Sequence, residues 1–162
     1  QALNEIVPQA LGLMATSERP VVTHQAGEKH LESLRLNYSN ANVKGELVPF
    51  IEDMAQRYAE ADLVICRAGA MTIAELSAGG MASVLVPFPH AVDDHQTANA
   101  RFLSDQGAAI LLPQSSLTPE KLSEVLRTLD RSALLEMARR ARALGKPEAA
   151  RIVADRCIEL AR

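Results

Sequence analysis

The stretch from Asp62 to Glu75, Asp-Leu-Val-Ile-Cys-Arg-Ala-Gly-Ala-Met-Thr-Ile-Ala-Glu, constrains the fold more than any other. Leu63 to Cys66 is a short apolar run rich in β-branched side chains, which reads as a buried strand. The pattern breaks at Arg67, and Gly69 permits a sharp turn. From Thr72 the apolar spacing is helical. A strand, a glycine turn and a helix start in that order present free backbone N–H groups at the carboxyl edge of a sheet. Such an edge attracts phosphate.

The flanking chain repeats the alternation. A helix is predicted over Ala2 to Met14, with Pro8 as a kink or a frayed start, then a loop over Thr16 to Pro20. A strand follows at Val21 to His24, a turn at Gln25-Ala26-Gly27 and a helix over Glu28 to Leu36. Asn37 to Asn42 reads as a loop, Val43 to Val48 as a strand near a sheet edge, and Glu52 to Ala59 as a helix. After the central strand, a helix runs from Thr72 to Ala78 and ends at Gly79-Gly80. Ala82 to Val86 is a strand, His90 to Asp93 a polar loop, Asp94 to Gln106 a helix and Ala108 to Leu112 a strand. Helices over Thr118 to Leu129, Arg131 to Leu144 and Glu148 to Ala161 finish the chain. Strands alternating with helices predict an α/β fold, a doubly wound parallel sheet. Such folds open with a strand and a glycine-rich turn, and this chain opens with a helix. Either the fold lacks that first strand or the sequence is a fragment.

Composition narrows the function. At 162 residues, with 48% apolar and 23% charged side chains, the chain is long enough for one globular domain with a proper core. Aromatics make up 3% with no tryptophan and the net charge is −3, which argues against a base-stacking nucleic-acid surface. The basic run Arg139 to Arg142 reads as a solvated helix face. Cys66 and Cys157 sit in apolar contexts and are expected as reduced, buried residues of a cytoplasmic protein. No apolar run reaches the length of a membrane span, so no transmembrane segment is expected.

Two readings of Gly69-Ala70-Met71-Thr72 stand side by side. The turn is suited to a diphosphate, because Gly69 allows close approach and the helix dipole favours negative charge. Alternatively Thr72 and Glu75 form a capping box worth roughly 1 kcal/mol. A carboxylate at Glu75 suits the two vicinal hydroxyls of a ribose, and a surface acid is the plainer alternative. Arg67 lies near the phosphates or pairs with a helix end. Asp93-Asp94-His95-Gln96 with Asn99 opens the next helix at the same sheet edge. Asp94 is explained by an N-cap alone, whereas a row of amide and imidazole groups is what sugar hydroxyls need. His95 is expected to be a neutral hydrogen-bonding group. Phe50-Ile51 follows a strand, where an apolar side chain packs on a base and backbone N–H and C=O read a uracil edge; core packing is the alternative. His24 is expected to be structural, with Gly27 serving the turn. The histidines have no metal-ligand spacing, so no metal and no cofactor are assigned.

Taken in order, several segments resemble the carboxy-terminal half of the MurG family of peptidoglycan N-acetylglucosamine transferases, which are GT-B glycosyltransferases. They are His24-Gln25-Ala26-Gly27, Val48-Pro49-Phe50-Ile51-Glu52-Asp53-Met54, Cys66 through Glu75, Val86-Pro87-Phe88-Pro89-His90 and Asp93 through Ala100. The resemblance implies a single UDP-sugar donor-binding domain over residues 1–162, Rossmann-like, from a two-domain enzyme. The family moves N-acetylglucosamine from its UDP donor to the C4 hydroxyl of lipid I, giving lipid II for the cell wall. By motif, Ile51 would contact uracil through its backbone and Glu75 the ribose hydroxyls. Ala70, Met71 and Thr72 would line the diphosphate and nucleoside, and His95, Gln96 and Asn99 the sugar. Ala68 stands where the family often has serine, which removes a hydroxyl contact, and glutamine replaces His95 in some members.

The family places a strand and a Gly-Gly-Ser-x-Gly-Ala turn just before the residue matching Gln1, with that strand in the middle of the sheet. The catalytic base, the lipid I site and the membrane-facing patch belong to the amino-terminal domain. No catalytic residue is therefore assigned here, and the fragment alone is expected to be inactive. The full-length enzyme is expected to be peripheral on the cytoplasmic face of the inner membrane. Two alternatives remain, a non-catalytic nucleotide-sugar binding module and an enzyme like UDP-N-acetylglucosamine 2-epimerase. The Asp94-His95-Gln96 motif favours the transferase.

Overall fold

The structure is a computed structural model that describes residues 1–89 and 94–161. The expected His90 to Asp93 loop lies outside the described residues. In chain order the helices are α1 (Ala2–Gly12), α2 (Leu31–Asn40), α3 (Met54–Glu60), α4 (Ala70–Gly79), α5 (His95–Ser104), α6 (Pro119–Thr128), α7 (Arg131–Leu144) and α8 (Ala149–Leu160). The strands are β1 (Thr23–Gln25), β2 (Glu46–Val48), β3 (Val64–Cys66), β4 (Ser83–Leu85) and β5 (Ile110–Leu111). Every recorded strand pair is parallel, as alternating strands and helices require. The chain divides into two compact units, Gln1–Ala61 with Leu112–Ala133, and Asp62–Leu111 with Leu134–Arg162.

In the first unit β1 pairs with β2, Thr23 opposite Glu46 and Gln25 opposite Val48. α1 packs on α2 and α6, burying Val7, Ala10, Leu11, Leu34 and Leu122. Pro8 neither breaks nor frays α1, although a proline there leaves the carbonyl four residues back without its helical donor. That carbonyl, Asn4, is supplied instead by Asn37 Nδ2 at 3.0 Å. The predicted loop from Asn37 to Asn42 is mostly helix, because Leu34 and Tyr38, one turn apart, are both buried and carry α2 to Asn40. Asn42, at φ 51°, marks the end. Asp53 accepts from the Gln56 N–H at 2.9 Å and caps α3, and Thr118 accepts from the Lys121 N–H and caps α6.

In the second unit the order is β3-β4-β5. β4 lies in the middle and is fully buried, whereas β3, expected to be the buried central strand, is half-buried. Among the described residues β3 has a strand partner on one side only, which accounts for its exposure. α4 packs on α5. It ends at Gly80, left-handed at φ 67°, with the Met81 N–H bonded to the Leu76 carbonyl at 2.9 Å. α7 closes on this end. Arg142 donates to the Ala78 carbonyl, and a Cβ on Gly145 would lie 2.5 Å from the Ser77 carbonyl oxygen, so only glycine fits there. All of α8 is solvent-exposed, including Cys157. The expectation of a buried Cys157 therefore fails, since the apolar stripe of α8 is not covered. Both cysteines are free, and Cys66 is half-buried.

Candidate functional site

β3 delivers Arg67, Ala68 and Gly69 to the start of α4. The helix begins at Ala70, two residues earlier than predicted, with Gly69 as its N-cap. Thr72 is thus the third helical residue and not a cap, and the capping-box reading of Thr72 and Glu75 falls. No side chain caps α4 among the described residues, whereas α3 and α6 are capped by Asp53 and Thr118. The first-turn N–H groups of a ten-residue helix are left to face an anion.

Gly69 is extended at φ −65° and ψ 148°, a conformation open to any residue, so the turn itself does not require glycine. A Cβ there would meet only Thr72 Oγ1, at 3.7 Å. What the glycine leaves is open space over the helix start. Ala70 and Met71 are exposed on the first turn, Met71 at 74%. Glu75 is exposed on the second turn. Its carboxylate lies close enough to Cys66 to add to burial in pushing that thiol up to about 12.

The entry to α5 completes this side. His95 is exposed at the helix start and Gln96 and Asn99 are half-buried. Asp94 takes the N-cap position at φ 51°, but its carboxylate accepts from Thr97 Oγ1 at 2.7 Å and caps no backbone N–H. Asp93 lies outside the described residues. Asn99 Nδ2 donates to the Ala68 carbonyl at 3.1 Å, tying α5 to the loop before α4. Gln96 Oε1 accepts from the Phe88 N–H at 2.9 Å, leaving the Nε2 end of the amide as a donor. Arg67 Nη1 donates to the carbonyls of Val86 and Pro87 at 3.1 and 3.0 Å, and its guanidinium lies 5.5 Å from the centre of the Phe88 ring. These contacts are structural, but they hold the carbonyls after β4 where a helix end was predicted, fixing the exit of β4 beside that of β3.

In the first unit, Ile51 is half-buried and Phe50 is 67% exposed, so Phe50 is not a core side chain. They border a shallow cleft of about 310 Å³ whose rim carries Glu52, Asp53, Arg57 and Glu60. The Ile51 N–H donates to Gln25 Oε1 at 3.0 Å. His24 is structural. As the neutral Nε2–H tautomer it donates to Asn4 Oδ1 and accepts from the Tyr38 hydroxyl, both at 3.1 Å. Burial holds its pKa down to about 4. Among the described residues no group of three or more His, Cys, Asp or Glu could hold a metal ion, and no helix is long and apolar enough to cross a membrane.

The backbone N–H groups of Ile51 and Phe88 are engaged by the side chains of Gln25 and Gln96 in ways that the local sequence did not announce. Arg19 is a further surprise. It donates to the carbonyls of Gly12, Met14 and Asn42 and so binds the ends of α1 and α2.

Comparison with known families gives the class of this parallel α/β chain. The chain belongs to the glycosyltransferase family 28 C-terminal domain family, whose model matches residues 1–154. The UDP-N-acetylglucosamine--N-acetylmuramyl-(pentapeptide) pyrophosphoryl-undecaprenol N-acetylglucosamine transferase of Nitrosospira multiformis is 62% identical over 99% of this chain and 45% of its own length. The protein of the same name from Aromatoleum aromaticum is 63% identical over 98% of this chain and 44% of its own. The chain thus spans less than half the length of these relatives. The crystal structure of Acinetobacter baumannii MurG superposes with a TM-score of 0.88 at 47% identity, over 95% of this chain and 47% of that one. The glycosyltransferase VinC in complex with DTDP shares the fold alone, with a TM-score of 0.60 at 20% identity over 88% of this chain and 34% of that one.

Proposed function

We propose that this chain is the donor-binding half of an inverting glycosyltransferase that moves N-acetylglucosamine from UDP-N-acetylglucosamine to the C4 hydroxyl of lipid I, forming lipid II. The observation that carries this reading is the uncapped start of α4, with open space over Gly69 and the polar first turns of α5 tied beside it. The names of the relatives, which specify a UDP-sugar and an undecaprenol acceptor, support the same chemistry.

In this reading Ala70, Met71 and Thr72 line the diphosphate. Their N–H groups and the helix dipole stabilise the charge that grows on UDP as the glycosidic bond breaks. Glu75 accepts hydrogen bonds from both ribose hydroxyls. His95, Gln96 Nε2 and Asn99 Oδ1 hold the sugar, while the other ends of the Gln96 and Asn99 amides keep their bonds to Phe88 and Ala68. Arg67 acts by positioning the β4 exit. Ile51 offers its backbone N–H and C=O to the uracil edge. The base that takes the acceptor proton, and the lipid I site, belong to the part of the family's length outside these residues. The whole enzyme works on the cytoplasmic face of the membrane as a peripheral protein.

The test is calorimetric titration of the folded chain with UDP-N-acetylglucosamine, UDP-glucose and ADP. Selective binding of the first is expected. Equal binding of ADP, or no binding by a folded chain, would overturn the assignment.

A further inference from the structure

The Ile51 N–H is the group that a uracil edge needs, yet Gln25 Oε1 already accepts from it at 3.0 Å. This contact is not incidental to a floppy side chain. Beyond the β1–β2 pairing, the Ala26 N–H bonds to the Val48 carbonyl at 3.1 Å and the Gly27 N–H to the Pro49 carbonyl at 3.0 Å. These two bonds hold the end of β1 alongside the segment that leads into Ile51. They place Gln25 where its carboxamide reaches a neighbouring backbone while the residue itself stays exposed. A carboxamide presents an acceptor oxygen next to an N–H donor. The O4 and N3–H edge of uracil presents the same pair.

We propose that Gln25 is a placeholder for the nucleobase. It occupies the Ile51 N–H in the free protein, and the base must displace it to bind. The inference rests on the donor-site reading above and adds a residue to it, one that lowers affinity while keeping the reading group satisfied and in position. The displaced amide costs binding free energy of the size of one exposed hydrogen bond, equivalent to a fewfold change in affinity.

The test is titration of the wild-type chain, Gln25→Ala and Gln25→Met with UDP, following the Ile51 amide by NMR. Methionine keeps the length of the side chain and removes the acceptor. In the free protein both variants are expected to exchange the Ile51 amide proton roughly fivefold faster than wild type. Both are also expected to bind UDP about threefold more tightly, since nothing has to be displaced. A merely structural Gln25 predicts the opposite, weaker binding in both variants, and that result would overturn the proposal. Tightening by alanine alone would mean that Gln25 acts by bulk, which also overturns it. If the wild-type chain is folded and does not bind UDP, the donor-site reading itself fails. A wild type that binds, with variants that bind no better, refutes the placeholder alone.

Discussion

Asn99 Nδ2 donates to the Ala68 carbonyl at 3.1 Å, so the second turn of α5 fixes the loop that aims α4. Ala68 is fully buried, and its carbonyl cannot turn to water if the donor is lost. Asn99→Ala is expected to cost about 1–2 kcal/mol of stability in urea unfolding. Asn99→Asp should cost more, because a carboxylate would then face the carbonyl oxygen. Equal stability of all three proteins would show that the contact does not hold the loop.

Gly69→Ala separates the two reasons for a glycine at this position. The backbone angles there suit alanine and the new methyl group meets only Thr72 Oγ1 at 3.7 Å, so thermal stability should stay within about 0.5 kcal/mol of wild type. Binding of UDP-N-acetylglucosamine should fall about tenfold or more, as the methyl group fills the approach to the helix start. Loss of stability with binding intact would reverse this account.

Glu75→Ala should weaken donor binding by about 1–3 kcal/mol through loss of charge-assisted hydrogen bonds to the ribose. The same change should lower the pKa of the Cys66 thiol, because a carboxylate that raises it is gone, although burial remains the larger cause. Alkylation rate against pH reads the second effect without any ligand. A donor affinity that does not change would remove Glu75 from the site.

His24 makes stability depend on pH. Burial lowers its pKa from 6.5 to about 4, so between those values the unfolded chain binds a proton that the folded chain refuses. The stabilisation is fully present above about pH 6.5 and is lost as pH falls toward 4. Between pH 7 and pH 5 wild type should lose on the order of 1 kcal/mol more than His24→Gln in urea unfolding, allowing for partial exposure of the ring. Parallel pH profiles for the two proteins would contradict the neutral, hydrogen-bonded imidazole.

Ser123 on α6 is 1% exposed and its hydroxyl has no hydrogen-bond partner among the described residues. Ser123→Ala removes an unsatisfied polar atom and improves helix propensity, so the variant should be more stable by about 1 kcal/mol. Differential scanning calorimetry would register this as a higher Tm, and a lower Tm would imply a partner for the hydroxyl.

Much of the plan was legible because its signals are local. The β-branched run before Cys66 and the Gly79-Gly80 stop each announce an element by their own residues. The start of α4 misled for the same reason. Thr72 and Glu75 imitate a capping box, and the true start at Gly69-Ala70 carries no side chain that could announce it. The Asn37 to Asn42 segment reads as a loop by composition, but burial of Leu34 and Tyr38 outweighs that propensity. The contact of Gln25 with Ile51 joins residues 26 apart and no periodicity encodes it. The apolar stripe of α8 has the spacing of a core-facing helix, and spacing alone does not say whether anything covers it.

The close fit of Gly145 against Ser77 bears on how this domain tolerates changes of length. α7 is held at its far end by backbone contact with α4, and Arg142 adds a hydrogen bond one turn earlier. Inserting one residue within α7 would rotate everything after it by about 100°. Arg142 would leave the Ala78 carbonyl, and a residue with a side chain would arrive where only glycine fits. Substitutions on the exposed face of α7 are absorbed by solvent, whereas insertions and deletions between Leu134 and Gly145 are not. An added or deleted residue in this part of the domain is expected to be accommodated only in the chain beyond Gly145.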